Sequence, residues 1–592
     1  MSQPIQETAA TVGEVLDHIA QLLELKGENP FKTRAYTHAA RALETLSVPL
    51  QTLVAEGRLG EIGGIGKAIA GKITELVTTG RLAYYDELKA SFPQGVFELF
   101  EIQGLGAKKI KALHEQLGVS SLLDLEKVCL EGKVAELEGF GAKTQANLLK
   151  AIEVHRKYAG RFRINVVAVL ADRLLEDLRA HNAVGQVQAG GSFRRRKETI
   201  GDLDILVSSK CAEEVSEFFV HHPLVGEIIA HGPTKSSVRL QDGVQCDLRV
   251  VKPDEFPFAL VYFTGSKEHN IRLRSRALER GWSLNEYRFT LMDGAETPPP
   301  IRDENDLYKS LGLDFIPPEL REDKGEITAA ERGELPNLIE WSNLRGTFHC
   351  HTTASDGKNS LLEMARAAIE LGLEYLGIAD HSKSSFQAHG LDAQRLAEQV
   401  EEIRALNETE EFQEAGFRLF AGTECDILKE GTLDFPDEVL ASLDYVVASV
   451  HSGFTAGEEE MTKRIIHAMR NPHVTILGHP TGRLLLSREP YSVNIPSVIS
   501  AAADTGTFIE INASPWRLDM DWRWWPLATK NGVRCVINPD AHSVHGLQDL
   551  IYGIGIARKG WLTKADVVNC LPLGKIGNVL KGKKYLSVAE KP

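Results

Sequence analysis

Residues 190–207 read GGSFRRRKETIGDLDILV, and this stretch decides the fold of the first half of the chain. Its end has the period-two pattern of a strand, so Asp202 and Asp204 are expected to leave the same face. Neighbouring carboxylates repel each other unless a cation lies between them, and oxygen ligands favour Mg²⁺ or Mn²⁺. A third carboxylate, Asp247, lies on a strand-like run at residues 244–251. Three such carboxylates can hold two metal ions about 4 Å apart for phosphoryl transfer.

The residues upstream of the aspartates decide between two interpretations. Alone, two alternating aspartates would more often mark the exposed edge of a sheet. Gly191 and Ser192 lie about ten residues earlier, however, and that spacing is characteristic of nucleotidyltransferases. The glycine lets backbone N–H groups approach a phosphate, and the serine adds a hydroxyl donor. The combination therefore predicts a phosphate-handling centre.

A second segment, YFTGSKEHNIRLR at residues 262–274, completes a resemblance. Residues 190–207 resemble the palm signature of family X DNA polymerases, and residues 262–274 resemble that family's nucleotide-binding segment. One departure is Lys267, which stands where the vertebrate repair polymerase has an acidic residue. The resemblance implies a template-directed polymerase that acts on gapped or primer-template DNA and dNTPs.

The same resemblance implies a role for individual residues. Asp202 and Asp204 would bind both metals, and Asp247 would be a metal ligand and the base for the primer hydroxyl. The remaining nucleotide contacts fall into three groups: Gly191, Ser192 and Arg195 at the triphosphate; Tyr262, Phe263 and Gly265 at the sugar; Asn270 at the base edge and Arg274 at the template strand.

Residues 1 to about 155 are predicted to be helical, with three Gly-x-Gly turns that are each followed closely by lysine. Such turns resemble the helix-hairpin-helix, in which the N-terminus of the second helix can hold a DNA phosphate. A single turn would more often be a plain connection, but three within 80 residues favour DNA-backbone binding. The glycine pairs are Gly64 and Gly66, Gly104 and Gly106, and Gly139 and Gly141.

Lys72 follows the first of these turns and is a candidate for lyase chemistry. In family X members with deoxyribose-phosphate lyase activity, a lysine at the matching place forms a Schiff base with the abasic sugar. Lys32 and Tyr36 resemble that family's 5′-phosphate pocket. The alternative, a solvated lysine that contacts phosphate, is equally consistent with the sequence.

The C-terminal half places potential metal ligands at the ends of its apolar runs. A β/α barrel carries its active site at the carboxyl ends of its strands, so these ligands are expected to converge. Imidazole and carboxylate without thiolate suit Zn²⁺, Mn²⁺ or Fe²⁺, and so many ligands imply two or three ions. The nine ligands are His349, His351, Asp356, His381, Glu424, His451, His479, Asp540 and His542.

This pattern resembles the PHP family of metal-dependent phosphoesterases. For a PHP domain fused to a bacterial family X polymerase, the resemblance implies Mn²⁺-dependent 3′–5′ exonuclease activity. It leaves open abasic-site endonuclease and 3′-phosphatase activity at the same centre. Asp380 is held as a residue that orients a ligand, and Lys383, Arg483 and Arg517 are candidates for phosphate or strand contacts.

Composition sets few limits on this interpretation. The chain has 592 residues and a net charge of −15, which argues against nucleic-acid binding only if the charge is evenly spread. Basic residues cluster locally at 194–197 and at 272–276. Seven scattered cysteines without a CxxC pair, no signal segment and no apolar run of membrane-spanning length favour the reducing cytoplasm. We expect a monomer associated with the bacterial nucleoid.

The predicted fold class is multidomain. Helical helix-hairpin-helix domains are expected at 1–85 (lyase-like) and 86–158 (fingers-like), an α/β nucleotidyltransferase palm at 159–256 and a small α+β thumb at 257–318. A linker is expected at 319–340 and a distorted β/α barrel of the PHP type at 341–582. Two other functions remain open: a histidinol-phosphate-type phosphatase with a degenerate polymerase half, and a non-catalytic scaffold that binds DNA ends.

Overall fold

The computed structural model describes residues 9–44, 50–93, 95–100, 102 and 104–586. The chain divides into two compact units, the first formed by residues 1–159 and 486–488, and the second by the remainder. Among the described residues, no helix is both long and apolar enough to cross a membrane. All seven cysteines are free thiols.

The first unit is helical because its apolar residues recur on one side of each short amphipathic segment. Tight glycine turns end several of these helices, and two apolar cores form, one around Leu16 and Ile73 and one around Leu99 and Ile110. The helices are α1 (Ala9–Lys26), α2 (Pro30–Glu44), α3 (Leu50–Ala55), α4 (Lys67–Thr79), α5 (Ala83–Ala90), α6 (Gly95–Phe100), α7 (Ala107–Leu117), α8 (Leu122–Leu130) and α9 (Gly141–Tyr158).

The second unit begins with the predicted palm. Its five-stranded sheet has the order β2-β4-β7-β6-β5, in which β4 and β7 run parallel and the other pairs run antiparallel. The elements are β1 (Phe162–Arg163), α10 (Ile164–Ala180), β2 (Gln186–Ala189), α11 (Gly191–Arg194), β3 (Thr199–Ile200), β4 (Asp202–Ser208), α12 (Ala212–Val220), β5 (Val225–Ala230), β6 (Lys235–Leu240) and β7 (Gln245–Val251).

The thumb follows the palm sheet directly and packs its helices around a core that includes Leu273, Tyr308 and Leu311. The sequence predicted a small α+β thumb here, and the structure has three helices and one two-stranded sheet. The elements are α13 (Phe256–Thr264), α14 (Lys267–Leu278), β8 (Trp282–Leu284), β9 (Phe289–Leu291) and α15 (Glu304–Ser310).

The segment predicted as a linker at 319–340 is folded, so that prediction was wrong. A 3₁₀ turn spans Pro318–Leu320 and a helix, α16, spans Glu326–Arg332. The Arg321 side chain is fully buried and donates to Glu304 at 2.7 Å. Glu326 is also fully buried and accepts a hydrogen bond from His269 at 2.8 Å. High charge misled the prediction because these charged residues have partners in the thumb rather than in water.

The C-terminal domain has the predicted distorted β/α barrel. Parallel strands form one sheet of order β10-β11-β12 and another of order β13-β14-β15-β16-β17. Single bridges between His381 and Glu424 and between Cys350 and Ala541 join the two sheets. One continuous apolar core contains side chains of both this barrel and the palm.

The barrel strands are β10 (Gly346–Cys350), β11 (Tyr375–Ile378), β12 (Arg418–Ala421), β13 (Glu424–Asp426), β14 (Val447–Ser449), β15 (Ile476–Leu477), β16 (Phe508–Asn512) and β17 (Cys535–Asn538). The helices of the barrel are α17 (Leu361–Glu370), α18 (Ala393–Asn407), α19 (Glu410–Ala415), α20 (Asp437–Leu440), α21 (Glu458–Met469), α22 (Ile495–Thr505), α23 (Trp525–Lys530), α24 (Leu550–Lys559) and α25 (Leu573–Leu586).

Two candidate metal centres

The palm sheet brings the three predicted carboxylates together. In the parallel register of β4 and β7, Asp204 lies directly beside Asp247, and Asp202 lies beside Gln245. Alternation along a strand puts Asp202 and Asp204 on the same face, and the register adds Asp247 to that face. Gln245 Nε2 donates to Asp247 Oδ1 at 3.1 Å. This is the arrangement that the sequence predicted.

Glycine is required immediately above this carboxylate group. A Cβ atom at Gly191 would lie 2.2 Å from the Asp204 Oδ2 atom, and the backbone there has a φ of +59°. The Gly190 N–H donates to the Asp204 carbonyl oxygen at 2.8 Å. The Gly190–Gly191 turn therefore approaches the carboxylates more closely than any other residue pair would allow.

The electrostatics of the group favour a cation. Burial, and then the charges of Asp202 and Asp247, raise the pKa of Asp204 to about 7. A divalent ion would remove that penalty because it offsets the carboxylate charges at close range. The donor set of three carboxylates fits Mg²⁺ or Mn²⁺, which are bound through oxygen.

The predicted nucleotide segment lies along α13 and the start of α14. Tyr262 and Phe263 pack edge to face with ring centroids 5.1 Å apart, and Tyr262 is 37% exposed. Asn270 is buried and donates to the Tyr262 carbonyl at 2.8 Å, while its Oδ1 atom has no hydrogen-bond partner. Tyr262, Asn270 and the exposed Arg274 line one small cavity.

The basic run at 194–197 is largely neutralised within the fold. Arg194 forms a two-pronged pair with Glu304 at 2.7 and 2.9 Å. Arg195 is 9% exposed; its Nε lies 3.1 Å from Glu322, and its Nη1 donates to the Thr264 carbonyl oxygen. The run is therefore neither a solvated surface nor a free DNA-binding patch. Arg195 instead lies between the Gly191 turn and the Gly265 turn. A Cβ atom at Gly265 would lie 3.0 Å from the Arg195 Nη1 atom.

In the barrel, all nine predicted ligands converge on one cluster. Their donor atoms form overlapping groups in which the atoms lie within 4.8 Å of one another. These groups are His351, Asp356, His381 and His542; His349, His351 and Asp540; His349, Glu424 and His479; and His381, Glu424 and His451. The mixture of imidazole and carboxylate fits Zn²⁺, Mn²⁺ or Fe²⁺.

Glu424 is the shared residue of the cluster. Its Oε1 lies 2.8 Å from His479 Nε2 and 3.2 Å from His451 Nε2, and its Oε2 lies 2.9 Å from His381 Nδ1. Although burial opposes it, the surrounding histidines hold the pKa of Glu424 well below its usual value. Glu424 begins β13, a strand that the sequence did not separate from the preceding RLFAGT run. Because both of its oxygens have histidine partners, this carboxylate would be suited to holding two ions.

Two acidic residues that the sequence did not single out orient the histidines. Glu510 is fully buried, and its Oε2 lies 2.6 Å from His349 Nδ1. Asp426 Oδ1 lies 2.5 Å from His451 Nδ1. Such carboxylates fix the orientation of the imidazole and raise its basicity as a ligand. The available signal for Glu510 was a charged residue between two isoleucines in the strand FIEIN at 508–512.

The other candidate residues have different roles. Asp380 accepts hydrogen bonds from the Thr352 N–H at 2.8 Å and the Ser355 hydroxyl at 2.5 Å, so it orders the turn before Asp356 rather than orienting a histidine. Arg517 Nε lies 3.4 Å from Asp540 and reaches the cluster. Arg483 is bound to Asp521 at 3.1 Å, so it is engaged in the fold. Lys383 is exposed.

Backbone strain coincides with the barrel cluster. His349, His479 and Asp540 have φ values of +57°, +21° and +53°, in the region that non-glycine residues rarely adopt. Each such residue costs about 1–3 kcal/mol and persists only where the surrounding structure holds it. Three ligands of one cluster share this property, which is typical of a functional site.

The helical unit has the predicted glycine turns. Gly64, Gly104 and Gly139 have φ values of +90°, +89° and +85°, and a Cβ atom at Gly104 or Gly139 would meet nothing within 4 Å. The helices α4 and α7 begin directly after Gly66 and Gly106. In the third turn the helix begins at Gly141 itself, whose φ is +72°.

The lyase candidates converge on a tyrosine that the sequence did not identify. The Lys72 ammonium lies 4.6 Å from the centre of the Tyr84 ring, and the Lys32 ammonium lies 5.9 Å from it. Tyr36 stacks on Tyr84 with ring centroids 6.3 Å apart. Burial raises the pKa of Tyr36 to about 12. The structure thus brings Lys32, Tyr36 and Lys72 to one place.

The fold and the two centres define a metal-dependent enzyme with two sites for phosphoester chemistry. Family models match a helix-hairpin-helix domain at 8–82, a SAM-like helix-hairpin-helix tandem at 96–153, the DNA polymerase beta thumb at 259–322 and a PHP domain at 347–514.

Whole-chain comparison extends these matches. The DNA polymerase/3′-5′ exonuclease PolX of Bacillus subtilis (strain 168) is 38% identical over 96% of this chain and 98% of its own length. DNA polymerase lambda of Rattus norvegicus is 26% identical over 54% of this chain and 58% of its own. A probable phosphatase of Thermoanaerobacter sp. (strain X514) is 31% identical over 40% of this chain and 94% of its own. The chain belongs to the family X DNA polymerases that carry a C-terminal PHP domain.

Proposed function

We propose that the palm centre extends a primer 3′ end with dNTPs on gapped or primer-template DNA, and that the PHP centre removes nucleotides in the 3′–5′ direction. The observation that carries this proposal is the grouping of Asp202, Asp204 and Asp247 under the Gly190–Gly191 turn. Phosphoryl transfer requires positioning and charge neutralisation, and cations held by these three carboxylates would supply both.

In the polymerase half, Mg²⁺ or Mn²⁺ held by the three aspartates would neutralise the triphosphate and the developing charge. Gly191, Ser192 and Arg195 bind the triphosphate, and Asp247 accepts the proton of the primer hydroxyl. Tyr262, Phe263 and Gly265 form the wall against the sugar and discourage a ribonucleotide. Asn270 offers its unpaired Oδ1 to the base edge, and Arg274 contacts the template strand.

In the PHP half, two or three ions of Mn²⁺, Zn²⁺ or Fe²⁺ held by the nine ligands would polarise the scissile phosphate. Arg517 adds a cation beside Asp540, suited to a phosphate oxygen of the strand. The same centre has the groups needed to open abasic-site strands and to remove 3′-phosphates. Either reaction would clean a 3′ end for the polymerase.

The helical unit supplies sequence-independent DNA binding. The Gly64–Gly66, Gly104–Gly106 and Gly139–Gly141 turns expose backbone N–H groups that suit phosphates. Lys32 and Tyr36 bind a 5′-phosphate, and Lys72 acts on an abasic sugar. We place the enzyme, as a monomer, with the chromosomal DNA of a bacterial cytoplasm, where it would fill gaps in base-excision or end-joining repair.

The test is a gapped-DNA assay with dNTPs and either Mg²⁺ or Mn²⁺, on the wild type and on Asp204→Ala and His349→Ala/His351→Ala. The expected result is gap filling lost only in the first variant and 3′ degradation lost only in the second. Unchanged primer extension by Asp204→Ala would show that other residues are catalytic. A small-molecule phosphatase with a degenerate palm would show no extension at all, and a non-catalytic scaffold would show DNA binding without metal-dependent change in the primer.

A further inference from the structure

A lysine of the PHP domain lies buried against the polymerase half. Lys559, the last residue of α24, has a side chain with no exposed surface. Its ammonium donates to the Arg195 carbonyl at 3.0 Å, to Glu322 Oε1 at 2.8 Å and to the Glu319 carbonyl at 3.4 Å. The ring of Trp522 lies 4.7 Å away. A fully buried ammonium requires such partners, so its position is closely fixed.

Two of these three contacts lead to Arg195. The Glu322 carboxylate receives Lys559 and Arg195 Nε on the same oxygen, at 2.8 and 3.1 Å. Its other oxygen lies 3.5 Å from Lys197. Lys559 therefore holds both the backbone of Arg195 and the acid that orients its guanidinium. Although burial opposes it, Lys559 and Arg195 lower the pKa of Glu322, which keeps the acid charged.

The preceding residue, Arg558, contacts the same part of the chain in a different way. Arg558 Nε lies 2.7 Å from Glu319 Oε1, and its Nη1 donates to the Ile339 carbonyl at 3.0 Å. It forms an ion pair with the folded connector, which is the segment at residues 319–340, as Lys559 does. These contacts involve neither Arg195 nor Glu322. A comparison of Arg558 and Lys559 variants can therefore distinguish stabilisation of the connector from positioning of Arg195.

We propose that Lys559 of the PHP domain is a positioning residue of the polymerase reaction, which completes the triphosphate pocket by fixing Arg195 through Glu322. This inference rests on the proposed contact between Arg195 and the incoming triphosphate. Removing Lys559 takes one positive partner away from Glu322 and removes a hydrogen bond from the Arg195 carbonyl. Binding of the nucleotide then weakens, whereas the chemical step at the aspartates is unaffected because no aspartate contact is lost.

The experiment measures single-turnover gap filling on the full chain as a function of dNTP concentration. Lys559→Met should raise the dNTP concentration for half-maximal rate about tenfold, the effect of one weakened charge-assisted contact, with the maximal rate within about threefold of wild type. Arg558→Met is the matched control and should stay within about twofold. The 3′–5′ nuclease activity of both variants should equal that of the wild type, which reports an intact barrel.

The double variant Glu322→Gln/Lys559→Met tests whether Lys559 acts through Glu322. Glu322→Gln alone removes the charge that orients the Arg195 guanidinium, so it should also raise the dNTP requirement. If Lys559 acts through Glu322, adding Lys559→Met to Glu322→Gln should raise the requirement by less than the product of the two single effects. A requirement equal to that product would overturn the inference, and so would an equal effect of Arg558→Met.

Arg195→Met distinguishes this inference from the proposed function. It should raise the dNTP requirement more than Lys559→Met does. If Arg195→Met leaves the requirement unchanged, the assigned triphosphate contact is wrong. If Arg195→Met raises it and Lys559→Met does not, the contact stands and the role of Lys559 is refuted.

Discussion

The two metal centres differ in how their charge is balanced in the protein itself. In the palm, burial and then the charges of the neighbouring Asp202 and Asp247 raise the pKa of Asp204 to about 7. In the barrel, Glu424 is surrounded by histidines, and its pKa is depressed. The palm group consists of three carboxylates, whereas the barrel cluster offers nine ligand side chains, six of them histidines. We expect the barrel to hold its ions more firmly than the palm, because more donor atoms surround them.

Asp204→Ala should have the largest effect, because Asp204 lies between the other two carboxylates. Primer extension should fall on the order of 1,000-fold, since the group of three carboxylates that would hold the ions loses one member. Nuclease activity of the same preparation should be unchanged. Asp242→Ala, on the exposed turn before β7, is the control and should extend primers normally. Coupled loss of both activities would contradict the independence of the two centres.

Glu424→Gln should have an effect of similar size on the other reaction. The amide keeps the shape but removes the charge that the histidines and ions share, so 3′–5′ hydrolysis should fall on the order of 1,000-fold. Gap filling should persist. Glu438→Gln, on an exposed helix of the same domain, is the matched control. Nuclease activity surviving in a contaminant-free preparation of Glu424→Gln would remove the barrel from the reaction.

Metal retention tests the comparison directly. After desalting into metal-free buffer, the wild type should keep two or three ions per chain, counted by plasma mass spectrometry. Replacing Asp202 and Asp204 with Asn should leave that count unchanged, and Glu424→Gln should lower it. A wild-type count below one would show that the barrel exchanges its ions as readily as the palm.

Glu510→Gln should have the smallest effect in this series. Gln can still accept a hydrogen bond from His349 but no longer supports the imidazole with a full charge. Metal affinity and nuclease activity should fall about 10- to 100-fold, with gap filling unaffected. A loss as large as that of Glu424→Gln would mean that Glu510 itself binds an ion, and no loss would mean that His349 is oriented by its backbone alone.

The sequence predicted which residues gather at the two centres, because both groupings follow from strand geometry. Alternation along β4 unites Asp202 and Asp204, and parallel strands place ligands at one end of a barrel. The orienting contacts depend on residues far apart in the chain, which no local pattern reveals. His349 and Glu510 are separated by 161 residues, and Arg195 and Glu322 by 127.

The folded connector limits how the chain can be divided. A cut between residues 318 and 340 would break up a folded segment whose charged side chains have partners on both sides. Arg321 and Glu326 are paired with residues of the thumb, and Glu319 and Glu322 are paired with residues of the barrel. A polymerase fragment that ends within this segment would thus lose contacts that it has in the full chain. A better place to divide the chain is between Ala159 and Gly160, where it passes from the first compact unit to the second.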